Sequence, residues 1–140
     1  MENVVGIFIS KVVARNPALQ YLKGVNASRI ESRFGARPII DKSDRIFDYA
    51  VFNSKTNRLF LIETNFYNGG GSKLKSVCGE FRSLSSQLKG QNIDFIWITD
   101  GKGWETTSYP LREAYDELDY TLNLKMLGDG FLDEIVSEGQ

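Results

Sequence analysis

The stretch Ile46-Phe47-Asp48-Tyr49-Ala50-Val51-Phe52, the turn Ser54-Lys55-Thr56-Asn57 and the stretch Leu59-Phe60-Leu61-Ile62-Glu63-Thr64-Asn65 together decide the fold. Two runs rich in β-branched and aromatic residues around a short polar segment read as a β-hairpin. A four-residue loop sets Asn53 opposite Arg58, so paired residue numbers sum to 111 and Asp48 falls opposite Glu63. In that register the two acids share a face, with Cβ atoms about 4.5–5.5 Å apart. A slip of one residue would separate them onto opposite faces. Alternation gives Asn65 the face of Glu63 and turns Thr64 away from it. Acids inside apolar strands need a reason, because burying an unpaired charge is costly.

Outward from the hairpin, Asn68-Gly69-Gly70-Gly71-Ser72-Lys73 leads into a helix whose apolar face is Leu74, Val77, Cys78, Phe81, Leu84 and Leu88, with Ser72 as N-cap. Lys73, Lys75, Arg82 and Lys89 lie off that stripe. Ile93–Thr99 reads as a strand ending in the Asp100-Gly101 turn, and Pro110 opens a helix carrying Leu111, Ala114, Tyr115 and Leu118. Thr121–Leu127 fits either strand or helix, and Phe131–Val136 reads as a last short helix. Upstream, Val4, Val5, Phe8, Val12 and Val13 predict a helix ending at Asn16-Pro17. A short helix is expected over Pro17–Lys23, another over Asn26–Phe34 closed by Gly35, and an edge strand at Arg37–Ile40. This order describes one α/β domain over residues 1–140, a central mixed β-sheet flanked by helices.

Composition narrows the chemistry. The chain contains no histidine and a single cysteine, Cys78. That removes Ser-His-Asp and Cys-His nucleophiles, histidine-base nucleases and Cys/His zinc sites. Any metal must be held by oxygen, which favours magnesium, manganese or calcium. The lone cysteine fits a reducing cytoplasm, and no apolar run reaches the roughly 18–20 residues of a membrane helix. Val4–Ile9 is too short for a signal peptide and follows Glu2. Net charge is −1, yet residues 1–110 hold 15 Lys/Arg against 10 Asp/Glu, and residues 111–140 hold 2 against 8. The part carrying the two acids is therefore mildly basic, which permits a polyanionic partner.

The competing explanation for Asp48 and Glu63 is plain ion pairing with Arg45 or Arg58. Two features favour a cation site instead: the acids are flanked by apolar residues on both strand faces, and a triple glycine follows. Bare amides at Gly69, Gly70 and Gly71 before a helix N-terminus suit a phosphate, although the Walker spacing is absent and a flexible connector is the alternative. Tyr67 and Trp104 could stack on bases, but packing is the commoner role. Glu31, on the preceding helix, is a candidate third acid, with a solvated helix face as the better reading.

Asp48, then Glu63-x-Asn65 on the next strand, then a helix and a strand resembles the PD-(D/E)xK nuclease core. More narrowly, Ile62-Glu-Thr-Asn-Phe-Tyr67 followed by Gly-Gly-Gly-Ser-Lys-Leu74 is similar to the MboI/DpnII-type restriction endonucleases, as are Trp104 and Pro110-Leu-Arg-Glu-Ala114. The resemblance spans roughly residues 45–127. It implies a magnesium-dependent endonuclease, with manganese as a substitute, that cuts double-stranded DNA at GATC sites. It implies metal ligation by Asp48, Glu63 and the carbonyl of Thr64, and DNA contacts at Gly69–Lys73 and Lys75. Asn65 stands where the family pattern has lysine. An amide does not titrate near neutral pH, so it can orient water but cannot act as a general base. Lys73 either supplies the missing cation or contacts the phosphate backbone from the helix surface. Cutting both strands of a palindrome favours a two-fold dimer. Enzymes of this type are longer, which makes the chain either the C-terminal catalytic portion of one or a minimal relative. Two other functions stay open: a non-catalytic DNA-binding module with a nuclease fold, and a structure-specific DNA nuclease.

Overall fold

The computed structural model describes residues 2–66, 72–101, 116 and 118–138, with backbone alone at 2 and 72–74. The elements in order are α1 (Glu2–Arg15), β1 (Leu19–Val25), α2 (Ala27–Phe34), β2 (Phe47–Asn53), β3 (Arg58–Phe66), α3 (Ser72–Leu88), β4 (Ile93–Asp100), β5 (Tyr120–Leu122), α4 (Leu124–Gly128) and α5 (Phe131–Ser137). The five strands lie in sequence order in one mixed sheet. β1–β2 and β2–β3 are antiparallel, while β3–β4 and β4–β5 are parallel. β3 is therefore central, joined to a hairpin on one side and to a helical crossover on the other.

Alternation along the strands fills two cores. Leu59, Leu61, Phe95 and Trp97 meet Ile30 of α2 and Cys78, Phe81, Leu84 and Leu88 of α3. The opposite face, with Tyr49, Val51, Phe60, Ile62, Ile96 and Ile98, packs on Val5, Ile9 and Val12 of α1 and on Leu127, Leu132 and Val136. Strands covered on both faces explain the apolar runs of the hairpin and of Ile93–Thr99. Among the described residues no helix is long and apolar enough to cross a membrane.

The hairpin register agrees with the sequence reading, with Asn53 opposite Arg58 and Tyr49 opposite Ile62. Asn53 supports the turn by accepting from the amides of Lys55 and Thr56, and Asn57 takes a positive φ of 60° to close it. The α2 boundaries also follow their signals: Asn26 caps the Arg29 amide, and Gly35 adopts φ 77° at the other end.

Two expectations need correction, and one open alternative is resolved. Pro17–Lys23 is not a helix, because Leu19–Val25 forms the edge strand β1 along β2. Its apolar residues Leu19, Leu22 and Val25 repeat every third position and so imitate helical spacing, but pairing with β2 prevails. Arg37–Ile40 is not a strand: the Ile39 backbone bonds on both sides to the side chain of Gln91, and Asp41 N–H to Gln87, so side-chain amides replace a ladder. Thr121–Leu127 resolves into both alternatives, with β5 ending at Leu122 and Asn123 capping α4 through the Met126 amide. Most of the helix expected after Pro110 lies outside the described residues, as do Tyr67 and Trp104.

Gly6 lets α1 approach the sheet. A Cβ at this position would lie 2.4 Å from the hydroxyl of Tyr49, a side chain that is itself fully buried. Gly6→Ala is expected to lower stability by about 1–3 kcal/mol through overpacking, despite an intrinsic helix gain of about 1 kcal/mol. The loss should shrink when Tyr49→Phe removes the contacting oxygen. Urea denaturation of the two single variants and the double variant measures that coupling, and strictly additive losses would refute the contact.

Candidate metal and phosphodiester site at a strand fork

β2 and β3 both run past the end of their shared ladder. Their last pair is Tyr49–Ile62, but β2 continues along β1 to Phe47 opposite Val25, and β3 continues along β4 to Phe66 opposite Asp100. The sheet forks there, and Asp48 and Glu63 stand on the two prongs. Strand backbone released from a ladder still needs partners. The acids supply them by a crossed exchange. The Asp48 amide donates to Glu63 Oε1 at 2.9 Å, while the Thr64 amide and hydroxyl donate to Asp48 Oδ2 at 2.8 and 3.1 Å.

The two carboxylates are thus brought together, but not as a ladder pair. Nor is Thr64 turned out of the site, since its hydroxyl touches Asp48. Because the N–H and C=O of a strand residue project to the same side, the carbonyl of Thr64 faces β2 as well. Ile46, two residues outward from Asp48, and Phe66, three residues outward from Glu63, are exposed, so the fork opens at the surface.

The ion-pair explanation also holds in part. Arg45 Nη2 lies 3.3 Å from Glu63 Oε2, and its Nη1 lies 2.6 Å from Glu80 Oε1 on α3. Its guanidinium sits 5.9 and 5.7 Å from the ring centroids of Phe47 and Phe81. Arg45 is 15% exposed, well shielded for a surface-rim cation, and its Nε has no hydrogen-bond partner among the described residues. Arg58 serves elsewhere, pairing with Asp94. Arg45 and Glu80 belong to the site although sequence pattern did not select Glu80, which is an unremarkable polar position on α3. Glu31 pairs with Arg37 in an exposed setting, the solvated helix face expected for it.

Burial raises the pKa of Glu63 from 4.5 to about 7, and the charge of Asp48 pushes the same way. The Asp48 amide and Arg45 oppose the shift. Glu63 thus resists ionisation in this poorly solvated fork, and a bound cation would favour its carboxylate form. Asp48 Oδ1 accepts no hydrogen bond among the described residues. Asp48 and Glu63 together form an oxygen-only donor set that fits a hard divalent cation. Among the described residues no group of three His, Cys, Asp or Glu side chains converges. The remaining ligands would be a backbone carbonyl, water or phosphate, the mixture magnesium usually takes.

Asn65 is held by the indole of Trp97, whose Nε1 donates to Asn65 Oδ1 at 2.8 Å. Lys75 is exposed on the first turn of α3. Gly69, Gly70, Gly71 and the side chains of Ser72 and Lys73 lie outside the described residues. Asp100 is structural: its carboxylate accepts from the amides of Gly101 and Leu124, tying β4 to α4.

The family model described as DpnII restriction endonuclease matches residues 1–134. The type II restriction enzyme MjaIII of Methanocaldococcus jannaschii is 46% identical over 140 residues, covering 99% of this chain and 48% of its own. The type II restriction enzyme LlaDCHI of Lactococcus lactis subsp. cremoris is 43% identical over 137 residues, covering 96% of this chain and 45% of its own. The chain thus spans about half the length of the curated relatives it matches. In fold it is similar to protein VC1899 from Vibrio cholerae, with a TM-score of 0.59 at 15% identity, over 97% of this chain and 33% of that one.

Proposed function

This chain belongs to the DpnII restriction endonuclease family, and on that premise we propose that it carries the metal-dependent catalytic part of a type II site-specific deoxyribonuclease acting on double-stranded DNA at GATC. The observation that carries the reading is the pair of carboxylates crossed at an open strand fork, in a chain free of histidine. Asp48 and Glu63 would hold Mg²⁺, or Mn²⁺ in its place, together with the carbonyl of Thr64. When bound, such an ion lowers the pKa of a coordinated water and neutralises phosphate charge.

The chain's own residues prepare for that. The Asp48 amide and Arg45 favour the ionised form of Glu63, which ligation requires. Thr64 fixes one oxygen of Asp48 and leaves the other open to the fork. Asn65 offers no titrating group, so this side chain cannot accept the proton of the attacking water. Gly69–Gly71, Ser72, Lys73 and Lys75 would receive the DNA backbone at the entry to α3, with Lys73 contacting the scissile phosphate. A two-fold dimer suits cleavage of both strands of a palindrome. The reducing cytoplasm is the compartment that suits a chain with a single, buried cysteine, Cys78.

The test is cleavage of linear duplexes, with and without an unmethylated GATC, in Mg²⁺ and in Mn²⁺. Cutting confined to the GATC duplex is expected. Preference for branched DNA would favour a structure-specific nuclease. Salt-sensitive binding with no hydrolysis in any divalent ion would favour a non-catalytic module, a role that Asn65 in the lysine position makes coherent.

A further inference from the structure

We propose that Trp97 is a positioning residue that fixes the Asn65 amide so that its Nδ2 group faces the fork as a neutral donor to a phosphate oxygen of the DNA. The inference deepens the nuclease reading above and rests on it. An indole N–H only donates, so the Asn65 atom 2.8 Å from Trp97 Nε1 must be the carbonyl oxygen Oδ1. That contact fixes the amide orientation, which the side chain alone would leave open to a flip. The oxygen is committed to Trp97, and Nδ2 donates to nothing among the described residues.

The anchor is rigid. Trp97 is completely buried and meets Phe81 edge-on at 5.1 Å and 79°. Trp97 is also the β4 partner of Glu63, while Asn65 lies opposite Thr99. Glu63, Asn65 and Trp97 therefore project from one face of two parallel strands. The indole reaches one pleat along that face to take the Asn65 oxygen. A lysine at this position would present an ammonium donor; Asn65 presents a donor without charge or titration. Asn65 accordingly contributes no accepting atom to a water at the site.

The first test is independent of cleavage. In ¹⁵N-labelled protein, with the Trp97 indole resonance assigned by Trp97→Phe, Asn65→Ala should shift that resonance and speed its hydrogen exchange. An unchanged resonance would show that the bond does not form. Adding a GATC duplex with Ca²⁺ should shift the Asn65 side-chain amide resonance, and no shift would overturn the donor role even if the wild-type protein cut no DNA.

The second test is single-turnover cleavage with Mg²⁺. Asn65→Ala should slow it on the order of 100-fold, the loss typical of a donor to a reacting oxyanion. Trp97→Phe should slow it roughly 10–100-fold, as loss of an outer partner does. The double variant should be no slower than Asn65→Ala alone. Multiplying losses would mean that Trp97 acts only through packing. Asn65→Asp keeps an acceptor for Trp97 while deleting the donor, and needs no change in the core. It should be as slow as Asn65→Ala. Wild-type rates in Asn65→Asp would show that Asn65 serves only to satisfy the indole.

Discussion

Asp48→Asn is expected to abolish divalent-cation binding at the fork and to slow DNA cleavage by more than the roughly 10–100-fold that loss of an outer-sphere partner costs a metal site. The substitution isolates charge from architecture. Asparagine keeps a carbonyl oxygen for the Thr64 amide and hydroxyl, which now donate to Asp48 Oδ2. Its amide nitrogen then takes the place of the oxygen that faces the cation, and a donor there repels it. Asp48→Ala is less clean, since it strips the Thr64 amide of its partner and adds about 1–3 kcal/mol of desolvation cost. Calorimetric titration with Mn²⁺ and a plasmid cleavage assay measure both effects. Wild-type Mn²⁺ affinity in a folded Asp48→Asn protein would remove Asp48 from the site.

In chelator, the free energy of unfolding is expected to fall by about 3 kcal/mol between pH 4.5 and 8, because Glu63 titrates near 7 in the folded chain against 4.5 when exposed. The sign follows from proton counting. Between those values the folded state holds a proton that the unfolded state has released, so rising pH favours unfolding until both forms are ionised. Asp119, raised chiefly by burial and by the charge of Asp94, adds a fall of the same sign. Glu63→Gln should remove most of the slope while leaving the Asp119 part. Arg45→Met, which keeps apolar bulk between Phe47 and Phe81, should raise the Glu63 pKa further, because Arg45 favours the ionised form. Saturating Mg²⁺ should flatten the wild-type profile, since ligation selects the carboxylate. Urea titrations across pH measure these slopes, and a wild-type curve as flat as that of Glu63→Gln would refute the assignment.

The two results bear on one design. A site that must attract a cation keeps two acids close in a poorly solvated fork, and it tolerates the cost by crossing them into backbone amides that the fork leaves unpaired. Arg45 offsets part of the charge of the two acids from the rim of the fork. A cavity of about 500 Å³ lined by Asp94, Asp119 and Glu138 lies at the other end of the sheet, beside the hairpin turn, and its acids make it a poor surface for DNA.

Much of this was legible in residue order. A polar four-residue turn between two apolar runs set the hairpin register to the residue, and that register brings Asp48 near Glu63. The absence of histidine, with only one cysteine, restricts metal ligands to oxygen. The stripe from Cys78 to Leu88 named the face α3 buries. These features are written locally, in alternation, turn chemistry and composition. β1 is hidden in the sequence because Leu19, Leu22 and Val25 carry a helical period, and the contact that makes it a strand is with β2, more than twenty residues away. Only the folded chain could decide the rest. The fork exists because β2 follows β1 while β3 follows β4; Arg45 reaches Glu80 across 35 positions, and Trp97 reaches Asn65 across 32. Side-chain hydrogen bonds of that range leave no periodic trace in sequence, since each depends on where two distant elements come to rest against each other.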